Sequence, residues 1–366
     1  MGRTSIVILF CAVGCNPAST LKANDPIRSV ASPGLVVVGS RSGPDGSGSD
    51  AGGPLNVAAR RALAAGDAAY LRGEWDRSLL SYDEAARLAP SSPAPIVGQV
   101  RASLAKADAP TSHAADPQNA DLLKAVEKLR RALRLSANYG PAHLELGRAM
   151  LVLDQAEDAV AELRRATELM PRDPEAHSAL GVALVATGDR HQALVSFRRS
   201  VELDPGNADR QTNLATVLLL HGMVAEAIGV LEKAVVAAPD DSRIHTVLGT
   251  AHLAANEVEK AMPYLRRAVE LVPDRATYRS NLGYGLQLSR DCRGAIEQYR
   301  KAIELDPKLG SAWINLGVAL VEVGMRKEAR DAFGRAVLLD PTDPRPQANL
   351  RDLDEIEQNE SNPVEK

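Results

Sequence analysis

The sequence predicts an all-α chain, a right-handed solenoid of about eight helix-turn-helix repeats. Three observations carry that prediction. Pro171, Pro205, Pro239, Pro273, Pro307 and Pro341 follow one another at a constant step of 34 residues. Ala and Leu supply 58 and 45 of the 366 residues, and aromatic residues only 3%. That composition favours helix over the aromatic and β-branched strands of a sandwich or barrel. Within each period apolar residues recur at helical spacing, as in Tyr278, Leu282 and Leu286, then Ile296, Tyr299 and Ile303.

Residues 1–14 read as a signal peptide. Arg3 gives a positive start, and Ile6 to Val13 is an apolar run too short to span a bilayer. Ala12-Val13-Gly14-Cys15 resembles the lipobox of bacterial lipoproteins. That resemblance implies cleavage before Cys15, a diacylglyceryl group on its sulfur and a membrane anchor. Asn16, rather than Asp, after the Cys implies an outer-membrane address facing the periplasm. An ordinary secretory cut before Cys15, giving a soluble periplasmic or secreted protein, and a buried apolar segment with an incidental Cys are the competing readings. Residues 15–58 then hold the lipidated Cys and a flexible linker, since eleven of the fifteen residues from Ser40 to Pro54 are Gly, Ser or Pro. A coil of this length has a root-mean-square reach of roughly 36 Å.

The repeats follow. Two degenerate copies occupy 59–92 and 93–139, the second carrying a surplus near Asp108 to Asn119. Six gapless copies fill 140–173, 174–207, 208–241, 242–275, 276–309 and 310–343. In the last, Trp313, Leu316, Gly317, Leu320, Ala329, Phe333, Ala336 and Pro341 stand in order. This pattern resembles the tetratricopeptide repeat family, which implies two antiparallel helices per repeat. Small residues such as Gly283 and Ala295 let the helices cross closely, and Gly188, Gly222, Gly324 and Asn256 are placed to end first helices in a left-handed turn. Residues 344–366 read as a capping helix, with Leu350 and Leu353 on its inner side, and a disordered tail.

Chemistry is scarce. There is no phosphate loop, H-E-x-x-H or G-x-S-x-G motif, so no enzyme activity, metal or cofactor is expected. His143, His177 and His245 fall at the Trp position of their repeats and His252 at the Tyr position, which points to packing. A net charge of −4 gives no basic excess for nucleic acid, and three Cys cannot build a disulfide framework.

The family resemblance implies binding of a protein or peptide on first-helix groove positions. One such position reads Glu145, Ala179, Asn213, Val247, Asn281 and Asn315, where each Asn offers a donor and an acceptor to a peptide backbone. Leu219, Leu220, Leu253, Tyr284, Leu288 and Val321 complete the expected groove, with Tyr284 the aromatic expected to face a ligand. Arg148 and Arg243 read as isolated, so the basic clamp of co-chaperone relatives is not expected. The expected function is a non-catalytic scaffold of the cell envelope, such as an assembly adaptor or pilotin. The alternatives are a module linked to a glycosyltransferase, whose repeats resemble these but precede a large catalytic domain, and a homo-oligomerising structural module.

Overall fold

The computed structural model describes residues 55–109 and 117–361, with side chains described up to residue 358. The expected signal peptide, Cys15, nearly all of the linker, part of the insertion and the last five residues lie outside the described residues. Seventeen helices and no strand are found among the described residues. They pair as α1 (Val57–Leu71) with α2 (Trp75–Leu88), α3 (Ala94–Lys106) with α4 (Ala120–Leu135), and α5 (Gly140–Val152) with α6 (Ala156–Leu169). Next come α7 (Pro174–Ala186) with α8 (Arg190–Leu203), and α9 (Ala208–Leu220) with α10 (Val224–Ala237). The remainder are α11 (Ser242–Ala254) with α12 (Val258–Leu271), α13 (Ala276–Leu288) with α14 (Cys292–Leu305), α15 (Gly310–Glu322) with α16 (Arg326–Leu339), and α17 (Pro344–Ser361). None is long and apolar enough to cross a membrane. The described helices form two compact units, 55–217 and 218–361, with the division inside α9.

The pairs other than α3 with α4, where Val100 stands, are built the same way: a small residue on the first helix faces a large one on the second. A Cβ added to Gly181 would come within 2.8 Å of the Phe197 ring, and one added to Gly283 within 2.7 Å of Tyr299. Both rings are fully buried, so a larger side chain at either Gly would overpack the crossing. In the 218–361 unit each first helix also touches the next first helix, α11 on α13 and α13 on α15. Leu316, Leu320, Phe333 and Leu353 form part of the resulting apolar core.

The turn between paired helices has one backbone conformation. Asp154, Gly188, Gly222, Asn256, Arg290 and Gly324, 34 residues apart, all have positive φ, from 60° to 84°. Gly and Asn take this region readily, whereas Arg290 holds it against a steric cost.

A second periodic device lies at the start of each first helix. His143, His177 and His245 give Nε2–H to the carbonyls of Ala137, Pro171 and Pro239 at 2.9, 3.1 and 2.7 Å. Gln211 and Gln347 donate their amides to Pro205 and Pro341, Arg279 its Nε–H to Pro273, and Trp313 its indole N–H to Pro307, at 2.6–3.0 Å. Each bond reaches six residues back and ties the helix start to the end of the preceding repeat. A carbonyl only accepts, so these His rings carry their proton on Nε2. The role shared by His, Gln, Arg and Trp here is donation of one N–H, beyond the packing expected of the His.

α17 continues the first-helix register. Leu353 and Asn349 are fully buried against what precedes them. Arg351 is exposed where earlier first helices carry a small residue, and Asp354 pairs with Arg330 at 2.6 Å. These charges occupy the face that other first helices turn toward their second helix.

Candidate partner-binding surface

In the 55–217 unit the first-helix face carries a chain of charges. Arg101 on α3 bonds Glu145 on α5 through Nε at 2.6 Å. Arg148, one turn along α5, lies 3.6 Å from Glu145 and 3.4 Å from Glu175 on α7. Arg210 on α9 closes the series, 3.2 Å from Glu175 and 3.5 Å from Asp204. Signs alternate from rung to rung, each between successive first helices or along one of them. Burial pushes the Glu145 carboxyl up, but the Arg101 and Arg148 charges outweigh it and hold its pKa below the usual value. Burial also works against the Arg101 charge, and Glu145 overcomes it, so the guanidinium pKa is raised. Arg148, read from the sequence as isolated, therefore lies between two glutamates. The sequence carried a faint signal: Arg101 and Arg148 occupy the same repeat position, with glutamates on the next turn or repeat.

In the 218–361 unit the first-helix face carries hydroxyls and an amide with one carboxyl, and a second-helix tyrosine reaches it. Thr246 and Thr250 are buried and donate their hydroxyls to carbonyls one turn back, at 2.9 and 2.8 Å. Tyr299 donates its hydroxyl to Gln287 Oε1 at 2.9 Å, and Gln287 Nε2 donates to Glu322 Oε2 at 3.0 Å. Burial pushes the Glu322 carboxyl up to about 7, against the weaker opposing pull of Gln287. Nothing in the sequence pattern marked this relay, because its members come from two repeats and both helix types.

The expected groove residues divide by exposure. Asn213 in the first unit is buried, as are Leu219, Leu253, Asn281 and Asn315 in the second. Leu220, Tyr284 and Val321 are half-buried, and Leu288 is 40% exposed. Within 218–361, Tyr284 and Leu288 stand one turn apart on α13, and Val321 precedes Glu322 on α15. The accessible part of the face is therefore aromatic and aliphatic, with the amides beneath it. Among the described residues no group of three or more His, Cys, Asp or Glu could hold a metal ion.

Profiles described as tetratricopeptide repeat match residues 118–182, 184–249, 221–282 and 310–343, and one described as TPR repeat matches 292–324. No curated protein matches the chain at a significant level. Among solved structures, that of the APC/C hetero-tetramer Cut9-Hcn1 superposes with a TM-score of 0.62 at 13% identity, over 80% of this chain and 55% of that chain. MamA from Desulfovibrio magneticus RS-1 gives a TM-score of 0.42 at 28% identity, over 46% of this chain and 96% of its own. PilF of Pseudomonas aeruginosa gives 0.49 at 21% identity, over 57% and 95%. The profile matches between residues 118 and 343 fall on the helix pairs of the structure, and the chain belongs to the tetratricopeptide repeat proteins, a family of protein-interaction scaffolds.

Proposed function

We propose that this chain is a lipid-anchored scaffold of the bacterial cell envelope that docks a peptide or helix of a partner protein on its first-helix face. The observation that carries the docking surface is the accessible set Tyr284, Leu288 and Val321 beside Glu322, on consecutive first helices. Binding there needs no bond chemistry: the aromatic and aliphatic groups give up water, and Glu322 supplies one polar contact. The partner is proposed to be a component under assembly, in the manner of an adaptor or pilotin. A lipid on Cys15 would act by transfer energetics, about 0.8 kcal/mol per buried CH₂, and two or more acyl chains hold stably where one does not.

Because Asn281 and Asn315 are buried, replacing them would test packing as much as binding. The discriminating variant is Tyr284→Ala with Leu288→Ser and Val321→Ser, used in affinity capture from the native envelope. Loss of captured partner is expected from this variant while it stays folded, and Leu288→Ser alone, at the most exposed of the three, should weaken capture with little change in melting temperature. Full capture by the triple variant would remove the face from the mechanism. Separately, Cys15→Ser should move the protein from the membrane fraction to the soluble fraction. A soluble wild type, or a variant that stays on membranes, would overturn the anchor and leave the docking face to its own test.

A further inference from the structure

Several second helices share a charge pattern that α4 replaces with like charges. In three repeats an Arg pairs with a Glu one turn later: Arg165 with Glu168, Arg199 with Glu202 and Arg267 with Glu270, at 2.8, 3.1 and 3.4 Å. On α4 the equivalent positions are Arg131 and Arg134, so the acid is replaced by a base. Lys124 pairs with Asp121, but among the described residues Lys128, Arg130, Arg131 and Arg134 make no ion pair. All four are exposed.

The packing around α4 is also different. Val100 stands on α3 where later repeats have Gly147, Gly181 or Gly283, and it is buried. α4 meets α3 over a smaller contact than the other second helices make with their first helices. A cleft of about 380 Å³ opens there, lined by Leu79, Val100, Leu104 and Ala125, with Lys128 beside two cations that already have acids, Lys106 with Asp76 and Lys124 with Asp121. On the other flank of α4 a second cleft of about 400 Å³ is lined by Leu123, Val126 and Leu153, with Arg130 and Arg134 outnumbering the one acid there, Glu127. Leu123 is 46% exposed on the ridge itself.

We propose that α4 and its two flanking clefts form a second docking surface, for an acidic polypeptide segment that carries apolar side chains. The aliphatic walls take the apolar side chains, and the unpaired cations receive the carboxylates. Nucleic acid is disfavoured because no aromatic side chain lines either cleft to stack a base. This surface is separate from the first-helix face and does not rest on it.

The test uses the full chain and a fluorescent peptide built from Glu-Leu-Leu-Glu repeats, read by anisotropy at low salt. A matching peptide with Lys in place of Glu is the control. Wild-type protein is expected to bind the Glu peptide and not the Lys peptide. Arg134→Glu places there the acid that Glu168, Glu202 and Glu270 supply in their repeats, so the melting temperature should hold or rise while affinity falls about tenfold. Leu123→Ser should cost about fivefold through the apolar contribution. Equal binding of both peptides, or unchanged affinity in Arg134→Glu, would overturn the proposal. So would binding to phosphatidylglycerol vesicles without binding to the Glu peptide, which would make α4 a membrane-facing surface instead.

Discussion

The 55–217 and 218–361 units repeat the same helix pair and both place buried threonines on the first helices, Thr212 and Thr216 in one and Thr246 and Thr250 in the other, yet the first adds a run of paired charges along that face. The first holds Arg101, Glu145, Arg148, Glu175 and Arg210 in an alternating series of buried charges. The second holds hydroxyls, amides, one aromatic and a carboxyl that burial pushes up to about 7. The lesson is a division of labour within each repeat. Glycines and large second-helix residues fix how the two helices cross, and the first-helix face is left free to vary without altering that crossing. A charge series ties neighbouring repeats tightly only while every member is present, because each charge has been taken out of water. A neutral face loses less when one member goes.

That contrast can be broken most sharply at Glu145. Glu145→Ala leaves half-buried Arg101 without its acid and Arg148 with Glu175 alone, and a loss of about 2–4 kcal/mol is expected in urea unfolding. The matched change in the other unit, Asn281→Ala, should cost only about 1–2 kcal/mol. If the two variants lose the same amount, the contrast between charged and neutral faces has no energetic content.

Next in size is the pH response, which should differ in sign between the units. Glu145 is held below 4.5 in the folded chain, so its contribution is present above that value and fades as pH falls through its folded value. Glu322 is raised from 4.5 to about 7, so its contribution is full below 4.5 and is lost as pH rises through 7. Glu322→Gln should therefore stabilise the protein by about 2 kcal/mol at alkaline pH, allowing for partial exposure, and by nothing below the unfolded value. Melting temperatures of wild type and variant across that range give the answer.

Smaller effects concern the turns and the helix starts. Arg290→Gly should stabilise by about 1 kcal/mol, because Gly holds a φ of 64° without a Cβ clash. Asp154→Gly in the other unit should gain less, since Asp tolerates that region better. At His143, burial alone would lower the pKa, but the Glu162 carboxylate 2.6 Å from Nδ1 and the Ala137 carbonyl raise it above 6.5. Its charge therefore stabilises below 6.5, and that part is lost as pH rises through the folded value. His143→Gln keeps the donor but not the charge, and should cost a few tenths of a kcal/mol at pH 6 and nothing by pH 9. An equal cost at both would assign the whole effect to packing.

What was legible in the sequence was what repeats locally. The Pro spacing, the small residues at helix crossings and the Gly188, Gly222 and Gly324 turns are each readable within one period, because their cause acts within one helix pair. Arg290 and Asp154 show the limit even there, since the backbone conformation is imposed by the pair and the residue merely tolerates it. The charge series was only faintly legible: its longer contacts join residues 44 and 35 positions apart, and Arg148, three residues from Glu145, meets its second acid only with α7 beside α5. The Asn residues of the expected groove were assigned to the right helices, but their burial depends on the neighbouring first helix, which no single repeat reports.

The bond from the helix start to a carbonyl six residues back has a consequence for how such chains are recognised. A position that looks degenerate when read as letters, with His, Gln, Arg and Trp in turn, is invariant when read as hydrogen-bond capacity. Those four side chains are chemical synonyms at this site, and a substitution table that scores them as unrelated will count fewer repeats than the chain contains. Searching for the reach and direction of an N–H, rather than for an indole, would recover the divergent copies. It would also say beforehand which replacements there are silent: any side chain long enough to carry that proton back across the turn.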